Sequence, residues 1–469
     1  MFSLLFFDDW YLHHRENLTR HVGQPTLVPE ATLEDPYLDI TWGYPSVFRD
    51  PATEQWRCLY QGHMADGRYV PVLAQSDDGI HWTFPDLTNG GTAEGRACPH
   101  QVFGLDQFRE WSGAYVDSRA AGTDAWLKGL VVDRATDGVA LRSPLALSAD
   151  GIHWRYAEGL EWHPIGADPI AYAFWNSYRN SHVLTARPAL NDRRIAIYET
   201  RDWQTFSPPE LALQADALDT PHAEIYGMPV IPYEHLFIGL LWVYHTDPTV
   251  NAENKFRMGK VNCQLAYSHN GWHWQRTVRE PFVPNSAPGE HGAGCIYPNA
   301  IVPMGDTLRI YSSAAMDEHA QIRFKPPASH QSAILLHTLR RDGFVYLEPE
   351  GGTGELTTRL LLWEGGEPQL NVSAPQGEVR IQVTNGRGEP IEGYTFADCI
   401  PFRGDTTAWT PEWRDGRLTT ALRDQIIRLQ VQLANGRLYA IRGEFEVKMS
   451  YEARLFVEQG IRTPPRPGF

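Results

Sequence analysis

The chain has 469 residues, of which 42% are hydrophobic and 12% aromatic, with 40 Gly, 34 Pro and 16 Trp. That apolar content excludes intrinsic disorder. A formal net charge of −16 excludes nucleic acid as the main partner, because phosphate-backbone binding needs clustered cations.

In chain order, the first apolar stretch is short, has no basic residue before it and ends at Asp8 and Asp9. A secretory leader needs a basic start, a longer apolar run and a small-residue cleavage site. No later segment reaches the roughly 18 apolar residues of a membrane span. These features predict a cytoplasmic protein with no membrane partner. Residues 1–34 are expected to pack as an N-terminal extension on the domain that follows.

A short segment then recurs. It reads Ser76-Asp77-Asp78-Gly79-Ile80-His81-Trp82, Ser148-Ala149-Asp150-Gly151-Ile152-His153-Trp154 and Ser268-His269-Asn270-Gly271-Trp272-His273-Trp274, with a degenerate copy at Thr200–Phe206 and a fifth candidate at Thr338–Phe344. Each copy follows an apolar strand, and its Asp-Gly or Asn-Gly pair supplies the positive φ of a tight hairpin turn. The first four begin at Ser76, Ser148, Thr200 and Ser268, so they lie 52 to 72 residues apart. That spacing fits four-stranded propeller blades. The fold expected is all-β: a five-bladed β-propeller over 35–350, then a C-terminal β-sandwich over 355–446 and a tail over 447–469. Alternating strands with Asn385-Gly386 and Asn435-Gly436 turns carry the sandwich reading. His81, His153 and His273 recur in every clear copy, so they are read as structural. The five cysteines form no C-x-x-C pair; neither a disulfide framework nor a metal site is expected, and no cofactor is.

In a propeller the innermost strands begin around one mouth of a central channel. Acidic residues at those starts are Asp39, Glu110, Asp168, Glu224 and Glu290, the last beside His291. Several carboxylates in one ring suit glycoside hydrolysis, in which one acid protonates the leaving oxygen and a second carboxylate acts as nucleophile or base. Trp42, Tyr44, Trp111, Tyr172, Trp175, Tyr226 and Trp242 offer rings on which a sugar face stacks. Arg187 and His222 complete the candidate substrate contacts.

On these segments the sequence resembles the five-bladed propeller glycoside hydrolases of families 32, 43 and 68, most closely a divergent family 32-like protein with its trailing sandwich. In that resemblance Ala167-Asp168-Pro169 stands for an Arg-Asp-Pro segment, which makes Asp168 the transition-state stabiliser. Glu224, in Ala223-Glu224-Ile225-Tyr226, takes the place of the general acid. Tyr44-Pro45-Ser46-Val47 stands where family 43 has Asp-Pro-x-Val. Tyr44 thus replaces the catalytic Asp, and Asp39 is the nearest carboxylate for nucleophile or base. Arg49-Asp50-Pro51 matches the invertase tripeptide by letter but lies at a strand end, so it is read as a turn.

The resemblance implies a hydrolase that cleaves a terminal furanoside, a fructofuranoside as first choice. Its two carboxyls would lie about 5–5.5 Å apart if retaining and about 6.5–9.5 Å if inverting. The partner expected is an oligosaccharide or glycoside, with a homo-oligomer left open. Two alternatives stand beside this reading. One is a phosphorylase or transglycosidase on the same fold, with Arg187, His222 and His291 holding phosphate. The other is a sugar-binding propeller without catalysis.

Overall fold

A computed structural model describes residues 1–88, 97–105, 108–134, 141–162, 171–189, 192–246, 258–319 and 331–463. The chain forms two compact units, Pro25–Thr338 and Met1–Gln24 with Leu339–Phe469. Both are built almost wholly of β-strands. Among the described residues no helix is long and apolar enough to cross a membrane.

The unit Pro25–Thr338 is a succession of five antiparallel meanders. Their first strands are Ile40–Arg49, Phe108–Val116, Tyr172–Asn176, Ala223–Gly227 continued by Val230–Tyr233, and Cys295–Met304. Neighbouring meanders pack face to face. Trp111, Trp126 and Trp154 join the first and second with Phe48 and Leu59. Trp162, Leu184 and Trp203 lie between the second and third, and Phe174, Phe237 and Trp274 between the third and fourth. A parallel pair, Val261 with Cys295, links the fourth to the fifth. Tyr311, Ile334 and Leu336 of the fifth return onto Trp56, Tyr60 and Val72 of the first. A strand covered on both faces needs no alternation. Hence Leu236–Thr246 reads as one apolar run and is buried at all but one position.

The recurrent turns share one chemistry. In the first, Ser76 Oγ accepts the Gly79 N–H (2.9 Å), and Asp78 Oδ1 accepts those of Ile80 and His81 (both 2.8 Å). The copies at Ser148 and Ser268 repeat these bonds. Gly79 sits at φ +73°, a conformation that favours glycine. In the degenerate copy Trp203 takes the left-handed conformation itself, at φ +62°. His81 and His153 place Nδ1 at 2.7 and 2.9 Å from their own turn aspartates, which is the structural role expected. The turn is wider than a two-residue hairpin. Gln75 and Thr83 close it, because side-chain acceptors occupy the intervening donors. The segment at Thr338 is not a fifth copy: Asp342 is buried in an ion pair with Arg442, within the other unit.

Asp50 of the Arg-Asp-Pro segment accepts the Ala52 N–H (2.9 Å) and is ion-paired to Arg57, as suits a turn residue. All five cysteines are buried.

The second unit is a ten-stranded sheet. Its boundaries differ from those the sequence suggested. Residues 1–24 are not an extension on the first unit: Phe2–Leu5 pairs with Arg437–Lys448, Leu12–Glu16 with Thr353–Thr358, and Thr19–Val22 with Val345–Glu348. Nor do the strands separate into the two hydrogen-bonded sheets of a sandwich. The long strand Leu360–Ser373 has three register shifts, and it pairs with Ile426–Ala434 at one end and Asp405–Trp409 at the other. Bulges bend a strand and raise its twist, so one sheet curls where two were expected. A helix, Ser450–Gln459, stands in the predicted tail.

Candidate functional site

Four of the five first strands break register at one level. The shifts fall between Trp42 and Ser46, Trp111 and Ala114, Ile225 and Gly227, and Pro298 and Ala300. Bulges at such places re-aim side chains. In the first strand the displaced residues are Gly43, Tyr44 and Pro45. Gly43 has φ +83°, and Tyr44, a bulky residue, is held at φ +57°, a costly conformation of the kind found at functional sites. The Tyr44 N–H donates to Ser313 Oγ at 2.7 Å, tying this bulge to the fifth meander.

Around that level an aromatic cluster forms. Tyr44 stacks on Trp242 with ring centroids 5.6 Å apart and planes at 14°. Tyr172 meets Trp242 edge-on at 5.4 Å, and Tyr297 does so at 5.1 Å. Tyr226 packs on Tyr297 at 5.5 Å. The Trp242 indole N–H donates to the Pro298 carbonyl (2.9 Å). Burial pushes the Tyr44, Tyr172 and Tyr297 hydroxyls well above their usual pKa, and the Tyr244 hydroxyl up to about 12. All four are therefore protonated at neutral pH. Among the described residues the buried Tyr172 hydroxyl has no hydrogen-bond partner.

Cations and carboxylates edge the cluster. Arg193 Nη1 donates to Glu224 Oε2 at 2.7 Å, with about a quarter of each side chain exposed. Its guanidinium lies 4.7 Å from the Tyr244 ring centre. Burial alone would lower the Arg193 pKa; the Glu224 hydrogen bond and the Tyr226 and Tyr244 rings outweigh it and hold the pKa above the usual arginine value. Arg187 is buried, its guanidinium 5.1 Å from the Tyr226 ring centre. His319 bridges two hydroxyls, Tyr244 at Nδ1 and Tyr226 at Nε2, both at 3.1 Å. Glu110 lies close enough to Tyr44, and Glu318 to Cys295, to raise those groups' pKa values by their charge.

The sequence-predicted residues thus divide. Tyr44, Tyr172, Tyr226, Trp242, Arg187 and Glu224 come together. Asp168 lies outside the described residues, as does the side chain of Trp42. Asp39 is exposed just before its strand, its N–H donating to the His63 carbonyl (3.0 Å). His222 and Glu290 are exposed, and His291 Nε2 lies 2.8 Å from Glu34 Oε1. Two aromatics stand elsewhere. Trp111 is wholly buried against Phe108 and Trp154, because the bulge after it turns it into the core between meanders. Trp175 lies near the far end of its strand, its ring covered by Arg119 at 3.5 Å. Arg193, Tyr244, Tyr297 and His319 were not predicted. Arg193 sits among Asp192 and Arg194, which reads as a solvated turn, so no local signal marked it.

Asp35 was also missed. Its buried carboxylate accepts from the Tyr60 hydroxyl and lies 2.7 Å from His100 Nε2, both through Oδ2, while Oδ1 accepts the Tyr37 N–H. The Asp35 N–H donates to Thr41 Oγ1 (2.8 Å). These bonds fix the loop that carries Asp39.

No protein-family model and no curated protein matches the chain. Solved structures similar to it include a GH32 beta-fructofuranosidase from Bombyx mori, with 11% identity over 94% of this chain and 96% of that one and a TM-score of 0.43. A thermostable family-43 glycoside hydrolase aligns at 13% identity over 73% and 96%, with a TM-score of 0.40. A beta-1,2-mannobiose phosphorylase from Listeria innocua aligns at 11% over 68% and 96%, with a TM-score of 0.41. Families 32 and 43 are among those the sequence resembles.

Proposed function

We propose that Pro25–Thr338 is a five-bladed β-propeller acting on glycosides, and that it hydrolyses a terminal furanoside, a fructofuranoside first. The observation that carries this reading is Glu224, a partly exposed carboxylate oriented by Arg193 at the edge of a wall of aromatic rings and protonated hydroxyls. Rings stack on the apolar face of a sugar, and phenol hydroxyls donate to its oxygens. In the proposed mechanism Glu224 takes up a proton and delivers it to the leaving oxygen, Asp168 stabilises the charge developing on the sugar, and Asp39 is nucleophile or base. Arg193 is a positioning residue for Glu224.

One observation favours a second reading. Two guanidiniums, Arg187 and Arg193, flank Tyr226 beside His319. Such a set can hold an anion, as phosphorolysis requires.

Release of reducing sugar from fructosides, arabinofuranosides and pyranosides, with and without inorganic phosphate, tests both. Hydrolysis without phosphate that falls about a hundredfold to ten-thousandfold in Glu224→Gln supports the acid role. Turnover that survives the substitution removes Glu224 from the mechanism. Turnover that needs phosphate replaces the first reading by the second, and binding of a glycoside with no turnover leaves a sugar-binding propeller.

A further inference from the structure

In the second unit Leu12–Glu16 pairs with Thr353–Thr358, and the register shifts between Leu12 and His14. His13 is the residue displaced, and a bulge re-aims the side chain it carries. Two arginines stand beside it. Arg359 follows Thr358 in the chain, and its N–H donates to the Tyr11 carbonyl (2.9 Å). Arg428 lies one strand further on, in Ile426–Ala434, and its Nη1 donates to the Thr358 carbonyl (3.0 Å). His13 is exposed and both arginines are half-buried, and all three belong to the same unit.

Neutral groups hold both guanidiniums in place. Arg359 Nε donates to the Trp10 carbonyl, its Nη1 lies 3.6 Å from Met449 Sδ, and its guanidinium lies 4.6 Å from the Trp10 ring centre. Among the described residues no carboxylate lies within ion-pair distance of Arg359, Arg428 or His13. On the same strand His14 Nε2 lies 3.8 Å from Glu16 Oε2. With 57 Asp and Glu against 41 Lys and Arg, the chain does not lack carboxylates to place there. Each guanidinium has five N–H donors, so most of those at this place remain unspent.

The three cationic groups act on one another. Burial and then the Arg359 charge lower the Arg428 pKa, and the Arg428 charge is the first cause that lowers that of His13. Like charges held together weaken a fold, and a bound anion reverses that effect. A halide offers one centre, and a carboxylate matches a single guanidinium fork. A tetrahedral oxyanion presents acceptors in several directions, enough for two guanidiniums and an imidazole. We propose that Arg359, Arg428 and His13 bind an oxyanion of the phosphate or sulfate type, free or as a terminal ester. The arginines supply charge and N–H donors from the half-buried side, and the His13 ring closes the exposed side. This site is separate from the Glu224 edge and does not depend on the glycosidic reading.

Calorimetric titration of the full chain with inorganic phosphate, inorganic sulfate and glycerol 3-phosphate tests the proposal, at constant ionic strength because salt screens exposed charges. His13→Glu places a carboxylate beside the arginines, and Arg428→Gln removes one of them. The expected result is saturable binding of phosphate or sulfate, weakened at least tenfold in both variants; the factor of ten corresponds to about 1.4 kcal/mol. In buffer free of both anions His13→Glu is expected to melt above the wild type, since it supplies the countercharge within the chain. Binding of glycerol 3-phosphate as tight as that of phosphate assigns the site to a terminal ester, and binding of the inorganic anions alone assigns it to the free ion. Heats of dilution alone for all three compounds would overturn the proposal. Binding undiminished in His13→Glu would place the anion elsewhere, as at Arg187 and Arg193, and overturn it equally. Thermal melting checks that each variant is folded; should Arg428→Gln unfold because the Thr358 carbonyl loses its donor, His13→Glu, at an exposed position, alone decides.

Discussion

Tyr44 is the residue that the sequence resemblance sets against a catalytic aspartate, and its surroundings are specific. The ring is stacked on Trp242, and burial keeps the hydroxyl protonated. Tyr44→Phe removes one hydroxyl; a single hydrogen bond from it to a bound sugar is worth about 1 kcal/mol, or roughly a factor of five in rate. A small fall in kcat on whichever glycoside proves to be the substrate is therefore expected. A fall of several orders of magnitude would make the hydroxyl a participant. Asp35 belongs to the same scale. Its side chain and that of His100 are wholly buried, so Asp35→Ala strands His100 Nε2 and the Tyr60 hydroxyl together. The expected cost is about 3 kcal/mol, read as a lower urea midpoint at an unchanged slope.

At the scale of elements, the recurrent turns contain their own control. Asn270 fills the aspartate position of the third copy and still accepts the Trp272 and His273 N–H groups, both at 2.9 Å. The charge at Asp78 and Asp150 is therefore not needed to form the turn. It has another consequence. His81 and backbone hydrogen bonds hold the Asp78 pKa well below the usual value. At Asp150 burial opposes the shift, but the bonds from His153 and the backbone outweigh it. A carboxyl whose folded pKa is depressed contributes stability above its unfolded pKa, about 4, and that contribution is lost as pH falls through the folded value. The double variant Asp78→Asn, Asp150→Asn is expected to fold, to melt below the wild-type temperature at pH 7 and to lose less stability between pH 4 and pH 2, measured as melting temperature against pH.

These turns were legible in the sequence because the bonds their Ser and Asp or Asn side chains accept from the backbone lie within four residues. The register shifts were not. Whether Tyr44 joins the Trp242 cluster and Trp111 the core beside Trp154 is decided by bulges that form only against the neighbouring strand, and Arg193 acquires its place from the Tyr226 and Tyr244 rings. Residue types at strand starts therefore named Tyr44, Tyr226 and Glu224 of this cluster but not Arg193, Tyr244, Tyr297 or His319.

For the whole molecule, the partition of the chain was the least legible feature. Residues 1–24 carry no local mark that assigns them to a sheet whose other strands begin after residue 339. Leu4 is wholly buried opposite Ile441. Leu4→Ala is expected to cost about 2–5 kcal/mol. Hydrogen exchange should then quicken in Leu360–Ser373 and Arg437–Lys448, with the meanders of Pro25–Thr338 unaffected. Quickening confined to those meanders would contradict the partition.

The pairing of Phe2–Leu5 with Arg437–Lys448 also orders events on the ribosome. At about 5–20 residues per second, the partner strand is made some 20–90 seconds after the first. Through that interval Leu4, Leu5, Phe6 and Phe7, all buried in the finished protein, trail from the nascent chain with nothing to cover them. A segment made long before its partner strand is thus sheltered late, and a holding chaperone has that interval in which to cover it.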